Sequence, residues 1–153
     1  MTIAAFCGTF DPITNGHLDI IERASKVFEK VVVFISFNSS KKETYSLEQR
    51  LHWLQESTKH IKNVECRVQH GLVVEACHSV NATVLIRGIR NTVDLVYEQN
   101  MAEMNTCLDE EIETVCFLTK GKWMYVSSTN VKEFVKYGQD ITQFVPSIVS
   151  KEI

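Results

Sequence analysis

A chain of 153 residues, 44% hydrophobic and 23% charged, can bury about 70% of its extended surface in a single domain spanning 1–153. That balance, with only two prolines, excludes disordered and collagen-like classes. The formal net charge of −3 argues against a general nucleic-acid or anionic-membrane binder.

No apolar run approaches membrane-spanning length, and the first residues lack the basic start of a secretion signal. A cytoplasmic protein with no membrane segment is therefore expected. Cys7, Cys66, Cys77, Cys107 and Cys116 are scattered without a C-x-x-C pair. They read as reduced thiols, not as disulfides or a zinc site.

The first predicted element is a strand, "TIAAFC" at 2–7. After a turn-rich stretch, 17–29 places Leu18, Ile21, Ala24 and Phe28 on one helical face. "VVVFISF" at 31–37 is a continuous apolar run, as expected of a strand buried on both sides. A helix over 47–60 carries Leu47, Leu51 and Leu54, and "VECRVQ" at 64–69 is the third strand. A short helix over 72–80 leads to "ATVLIR" at 82–87, again strand-like. The pattern over 92–108 lines up Val93, Tyr97, Met101, Met104 and Leu108 on a fourth helix. "TVCFLT" at 114–119 is the last strand, and 128–137 a fifth helix with Val131, Phe134 and Val135. The tail "ITQFVPSIV" is expected to pack as a short irregular or helical cap. Strands alternating with helices predict an α/β fold: a doubly wound, five-stranded parallel sheet, Rossmann-like in outline.

Ligands of such sheets sit beyond the carboxyl ends of the strands. The loops there hold Lys41, Lys42, Arg87, Arg90, Lys120 and Lys122, with Lys132 a turn into the last helix. An acidic chain with basic strand-end loops points to a site for a small polyanion. The argument is strongest for the two arginines of "IRGIR", which abut a buried strand.

"GTFDPITNGH" at 8–17 follows the first strand directly. Gly8 and Gly16 permit close backbone approach and positive φ, Asn15 is placed to cap the next helix, and Asp11 to stabilise its own loop. A helix start offers free amide donors to an anion. There His17 is expected to stay neutral and donate an N–H to a phosphoryl oxygen. Position alone leaves open whether the imidazole faces a ligand or merely caps. The stretch fits neither a P-loop nor the G-x-G-x-x-G fingerprint.

Further blocks narrow the reading. "TNGH" at 14–17 is similar to the T/H-x-G-H signature of nucleotidyltransferases, and "VSSTNVK" at 126–132 to their second motif, I-S-S-T-x-x-R/K. Together with "NSSKK", "ATVLIRGIR" and "YEQNMAEMN", these resemble bacterial phosphopantetheine adenylyltransferases from end to end. The resemblance implies in-line transfer of AMP from ATP to 4′-phosphopantetheine, giving dephospho-coenzyme A and pyrophosphate. It implies Mg²⁺ with the triphosphate, feedback by coenzyme A, and a homohexamer.

By the same resemblance, Thr9 and Phe10 contact both ligands, and His17 stabilises the transition state at the α-phosphate. Lys41 and Arg87 hold the pantetheine phosphate, with Val73 against its arm. Gly88, Ile89, Arg90 and Glu98 line the ATP site, which Trp123, Met124, Tyr125, Val126, Ser127, Ser128 and Thr129 wrap. The departures are Phe6-Cys7, where such sequences carry an apolar-proline pair, and Ser39, at a position often proline. Cys7 beside a phosphate is either reactive or a buried inert thiol. The competing readings are a cytidylyltransferase for glycerol phosphate, an adenylyltransferase for nicotinate mononucleotide, and a nucleotide-binding module without chemistry. "NSSKK" and "RGIR" speak against the first two, and Thr9, His17, Lys41 and Arg87 together against the third.

Overall fold

The computed structural model describes residues 1–37 and 42–153. Strands β1 (Ile3–Gly8), β2 (Lys30–Ser36), β3 (Val64–Gln69), β4 (Val84–Ile89) and β5 (Glu113–Leu118) form one sheet in the order β3-β2-β1-β4-β5. Every pairing is parallel. Helices α1 (Asn15–Val27), α2 (Leu47–Thr58), α3 (Val73–Ser79), α4 (Thr92–Leu108) and α5 (Ser128–Lys136) follow the five strands in turn. The tail closes as α6 (Ser147–Glu152), tied to α2 where Trp53 Nε1 donates to Glu152 Oε1 at 3.1 Å.

Alternation along the strands divides the core into two layers. Ala4, Phe6, Val31, Val33 and Ile35 face a cluster with Ile21 and Ala24 of α1 and Trp53 and Leu54 of α2. Ala5, Cys7, Val32, Phe34 and Leu85 face the other way, onto Val74 and Cys77 of α3. Both faces of β1 and β2 are thus covered, which is why their sequences are apolar without alternation.

The strand order reverses between β1 and β4, and there the pairing is short. Register matches only Ala4 with Val84, Ala5 with Leu85 and Phe6 with Ile86. Beyond Phe6 the two strands have no further paired residues, which leaves a crevice at their carboxyl ends. That is where a doubly wound sheet binds its ligand.

Helix α4 turns most of its apolar line outward. Val93, Tyr97, Met104 and Leu108, aligned on one face in the sequence, are 75%, 58%, 64% and 59% exposed. The buried side chains of α4 are instead Glu98 and Asn105. The periodicity of this helix therefore marks an apolar surface directed away from the sheet of its own chain.

Candidate active site

Loop 9–14 leaves β1 and turns straight into α1. Thr14, not Asn15, is the N-cap, and the helix begins at Asn15 rather than near His17. Thr14 Oγ1 accepts from His17 N at 3.3 Å, while Thr14 N donates to His17 Nδ1 at 3.0 Å. This is a capping box with histidine where glutamate usually stands. It explains the three-residue spacing of Thr and His, and it makes Nδ1 an acceptor. The ring proton of neutral His17 therefore sits on Nε2.

The glycines serve differently from expectation. Neither Gly8 nor Gly16 has positive φ; the left-handed residue of the loop is Phe10, at φ 46°. A Cβ on Gly8 would stand 3.0 Å from the Phe10 ring, so what this glycine supplies is room for that ring. Phe10 is buried and packs edge-on against Phe6 and His17, with ring centroids 5.5 and 5.0 Å away. Asp11 does not fold onto its own loop. Its carboxylate accepts from Thr44 N and Tyr45 N at 2.8 and 3.0 Å and pairs with Lys132 Nζ at 3.3 Å.

Two cavities meet over this loop. The first, about 380 Å³, is lined by Thr9, Phe10, His17, Arg87, Gly88, Arg90, Glu98, Trp123, Val126, Ser127 and Ser128 among others. The second, about 360 Å³, lies between α3 and α4 and is lined by Thr9, Ser36, Val73, Arg87, Glu98, Met101 and Asn105 among others. Cys7, Gly8, Thr9, Arg87, Tyr97 and Glu98 belong to both. Ile89, Met124, Tyr125 and Thr129 are not among the residues lining either cavity, and Tyr125 is 85% exposed. Lys41 and Ser39 lie outside the described residues.

Arg87 stands at the seam and lines both cavities. Nε and Nη2 donate to the two oxygens of Glu98 at 2.7 and 2.8 Å, and Nη1 donates to Cys7 O at 2.8 Å. The last bond bridges β1 and β4 just beyond the point where their pairing stops. These contacts take three of the five N–H groups of a guanidinium, leaving two for a ligand. Glu98, expected to face nucleotide, is thus the fixed partner of Arg87. Arg90 is held by Asp94 at 3.0 Å. Burial opposes the charge of Asp94, but bonds from the Arg90 side chain and backbone keep its carboxyl below the ordinary range.

Burial first, and Arg90 and Arg87 next, push the His17 imidazole down to about 4. The ring is therefore neutral at physiological pH, as its place at a helix start requires. The unfolded chain protonates His17 near 6.5 while the folded one resists to about 4, so native stability falls across that window. The loss reaches up to about 3 kcal/mol. Urea titrations of the parent and of His17→Gln should show the parent losing that much more stability between pH 7 and pH 4. Parallel losses would show that His17 does not carry the effect.

Cys7 is buried, and burial pushes its thiol up to about 12, so it is inert rather than reactive. All five cysteines are free, as read from sequence. The two serines of "VSST" have structural engagements: Ser127 Oγ caps α5 by accepting from Asn130 N, and Ser128 Oγ donates to Pro12 O at 2.8 Å. Ser128 thereby fastens the start of α5 to loop 9–14.

Sequence reasoning missed Arg50, which is fully buried beneath the site. Its signal was visible, since 47, 50, 51 and 54 share one helical face and the arginine interrupts three leucines. It also missed Tyr97 and Asn105 as cavity residues. They were read with, or beside, an apolar stripe, and only the packing of α4 shows which side turns inward.

Comparison with known proteins shows the family of the chain. Residues 5–134 match the cytidylyltransferase-like family. A phosphopantetheine adenylyltransferase of Levilactobacillus brevis is 42% identical over 99% of this chain and 94% of its own length. One of Clostridium botulinum (strain Eklund 17B) is 43% identical over 100% of this chain and 96% of its own. Among solved structures, a protein of Vibrio parahaemolyticus provisionally named a nicotinate-nucleotide adenylyltransferase superposes with TM-score 0.74. It covers 99% of this chain and 91% of its own at 18% identity, a likeness of fold alone.

Proposed function

Because the chain belongs to the phosphopantetheine adenylyltransferases of the cytidylyltransferase-like family, we infer that its joined cavities receive ATP and 4′-phosphopantetheine. The reaction is transfer of AMP to the pantetheine phosphate, with release of pyrophosphate and formation of dephospho-coenzyme A. The observation that carries the placement is the shared wall. Two cavities of similar volume meet at Thr9 and Arg87, as two substrates joined at a phosphate require.

In this reading the larger cavity takes the nucleotide and the other takes the pantetheine arm along Val73. Both reactants are anions, and Arg87 and Arg90 offset their repulsion at the seam. Lys41 would hold the acceptor phosphate from the loop after β2. The nucleophile is a phosphate oxygen already ionised near neutral pH, so no general base is needed. Catalysis then rests on alignment and on charge stabilisation at the α-phosphorus. His17 supplies the latter through Nε2–H, its orientation fixed by Thr14.

Mg²⁺ fits this donor set as a substrate-borne ion. Among the described residues no group of three or more His, Cys, Asp or Glu side chains could hold a metal. Magnesium commonly rides on phosphates and keeps its waters. Asp94 and the hydroxyls of Ser127 and Ser128 border the same cavity. When bound, the ion would neutralise charge on the triphosphate.

The exposed apolar line on α4 supports association of copies, with a homohexamer as the expected state; a sedimentation mass of one chain would sink that expectation. The shared pantetheine arm supports competition by coenzyme A for the second cavity. Among the described residues no helix is long and apolar enough to cross a membrane, and the cytoplasm is the expected compartment.

Incubation with ATP, Mg²⁺ and 4′-phosphopantetheine should release pyrophosphate stoichiometrically with dephospho-coenzyme A. Turnover only with CTP, or only with another phosphate acceptor, would overturn the assignment.

A further inference from the structure

Arg50 is buried at 0% exposure in the first turn of α2 and lines neither cavity. Every nitrogen of its guanidinium is engaged. Nε donates to Tyr45 O at 3.1 Å, Nη1 to Thr9 O at 2.7 Å and to Ser36 O at 3.2 Å, and Nη2 pairs with Glu43. A buried arginine is costly, and an apolar residue of similar volume there would often serve stability as well. Its contacts therefore call for a role besides packing.

The acceptors have one thing in common: they sit where chains leave the sheet at the seam. Thr9 follows β1, Ser36 ends β2, and residues 43–45 lead from β2 to α2. Thr9 and Ser36 both line the second cavity, and their hydroxyls share a hydrogen bond at 3.4 Å. The β1–β2 ladder ends at Gly8 and Ile35, so no sheet hydrogen bond fixes Thr9 against Ser36. One guanidinium nitrogen bonded to both carbonyls ties the two backbones together, beneath the hydroxyl–hydroxyl bond. Asp11 anchors the same 43–45 segment from the other side, through Thr44 N and Tyr45 N.

We propose that Arg50 is a positioning residue for adenylyl transfer: it fixes the Thr9 hydroxyl at the seam of the two cavities by clamping the Thr9 and Ser36 carbonyls. The inference rests on the proposed function, in which the two phosphates react beside Thr9. Misplacing a reacting group by about 1 Å can cost of the order of 10²-fold in rate without changing what binds. Lysine keeps the charge but lacks the planar fork that reaches several acceptors at once.

The test uses Arg50→Lys, Thr9→Ala and the double variant, each assayed for kcat and for both KM values. The folded fraction of each is measured by urea titration, and kcat is expressed per folded molecule. Arg50→Lys should lower kcat 10- to 100-fold with each KM within about threefold of the parent. In the Thr9→Ala background the same change should cost less than about threefold, because the group it positions is gone. Parent-like kcat per folded Arg50→Lys molecule would overturn the proposal and leave a purely structural arginine. So would an equal loss in both backgrounds. A fully active Thr9→Ala would overturn it through Thr9 itself, while pyrophosphate release by the parent keeps the proposed function separately decided.

Discussion

Replacing His17 with alanine should lower kcat by roughly 10²- to 10³-fold, the cost of losing one preorganised donor at a developing charge. The imidazole has two jobs, and alanine removes both. Nδ1 accepts the Thr14 amide, and Thr14 is 1% exposed. Leaving that N–H without a partner should cost about 1–2 kcal/mol of stability. His17→Gln separates the roles, because glutamine suits the third helical position of a capping box. The glutamine variant should recover most of the stability while its kcat stays low. Activity within threefold of the parent in either variant would show that His17 is not the charge stabiliser.

Arg87→Ala should be the most disruptive single change at the seam. Glu98 is 6% exposed and accepts two of the three bonds Arg87 makes. Deleting the arginine strands that carboxylate, at a cost of about 3 kcal/mol. It also removes the bridge to Cys7 O where β1 and β4 part. The double variant Arg87→Met, Glu98→Leu should regain most of the lost stability, since no buried charge remains unpaired. It should not regain activity, and the KM for 4′-phosphopantetheine should stay raised in both variants, more than the KM for ATP. A double variant as unstable as Arg87→Ala would place the cost in lost packing rather than in the stranded carboxylate. Equal rises in both KM values would mean that the seam arginine serves the two ligands alike.

Much of the site was legible because its residues follow strands. "GTFDPITNGH" and "RGIRNT" are adjacent to apolar runs, and a doubly wound sheet must bring such loops to one edge. Thr9, His17, Arg87 and Arg90 were found this way, and the structure brings them to one cavity. For helix α4 the sequence left open whether its apolar side meets the core or another chain, for a physical reason. Periodicity reports that one side of a helix is apolar but not what that side meets. Here most of it faces outward, Tyr97 and Met101 border the second cavity, and Glu98 and Asn105 are the buried side chains.

Local chemistry alone determined the alternating elements, the parallel sheet and a helix start at "TNGH", since burial on two faces and a helix start each demand particular residue types at fixed spacings. Which charges neutralise one another was decided only by the tertiary fold. Arg87 meets Glu98, Asp11 meets Lys132, and Arg50 reaches Thr9 and Ser36. Ion pairs and carbonyl clamps between distant segments depend on where helices settle against the sheet, and a one-dimensional pattern carries no record of that distance.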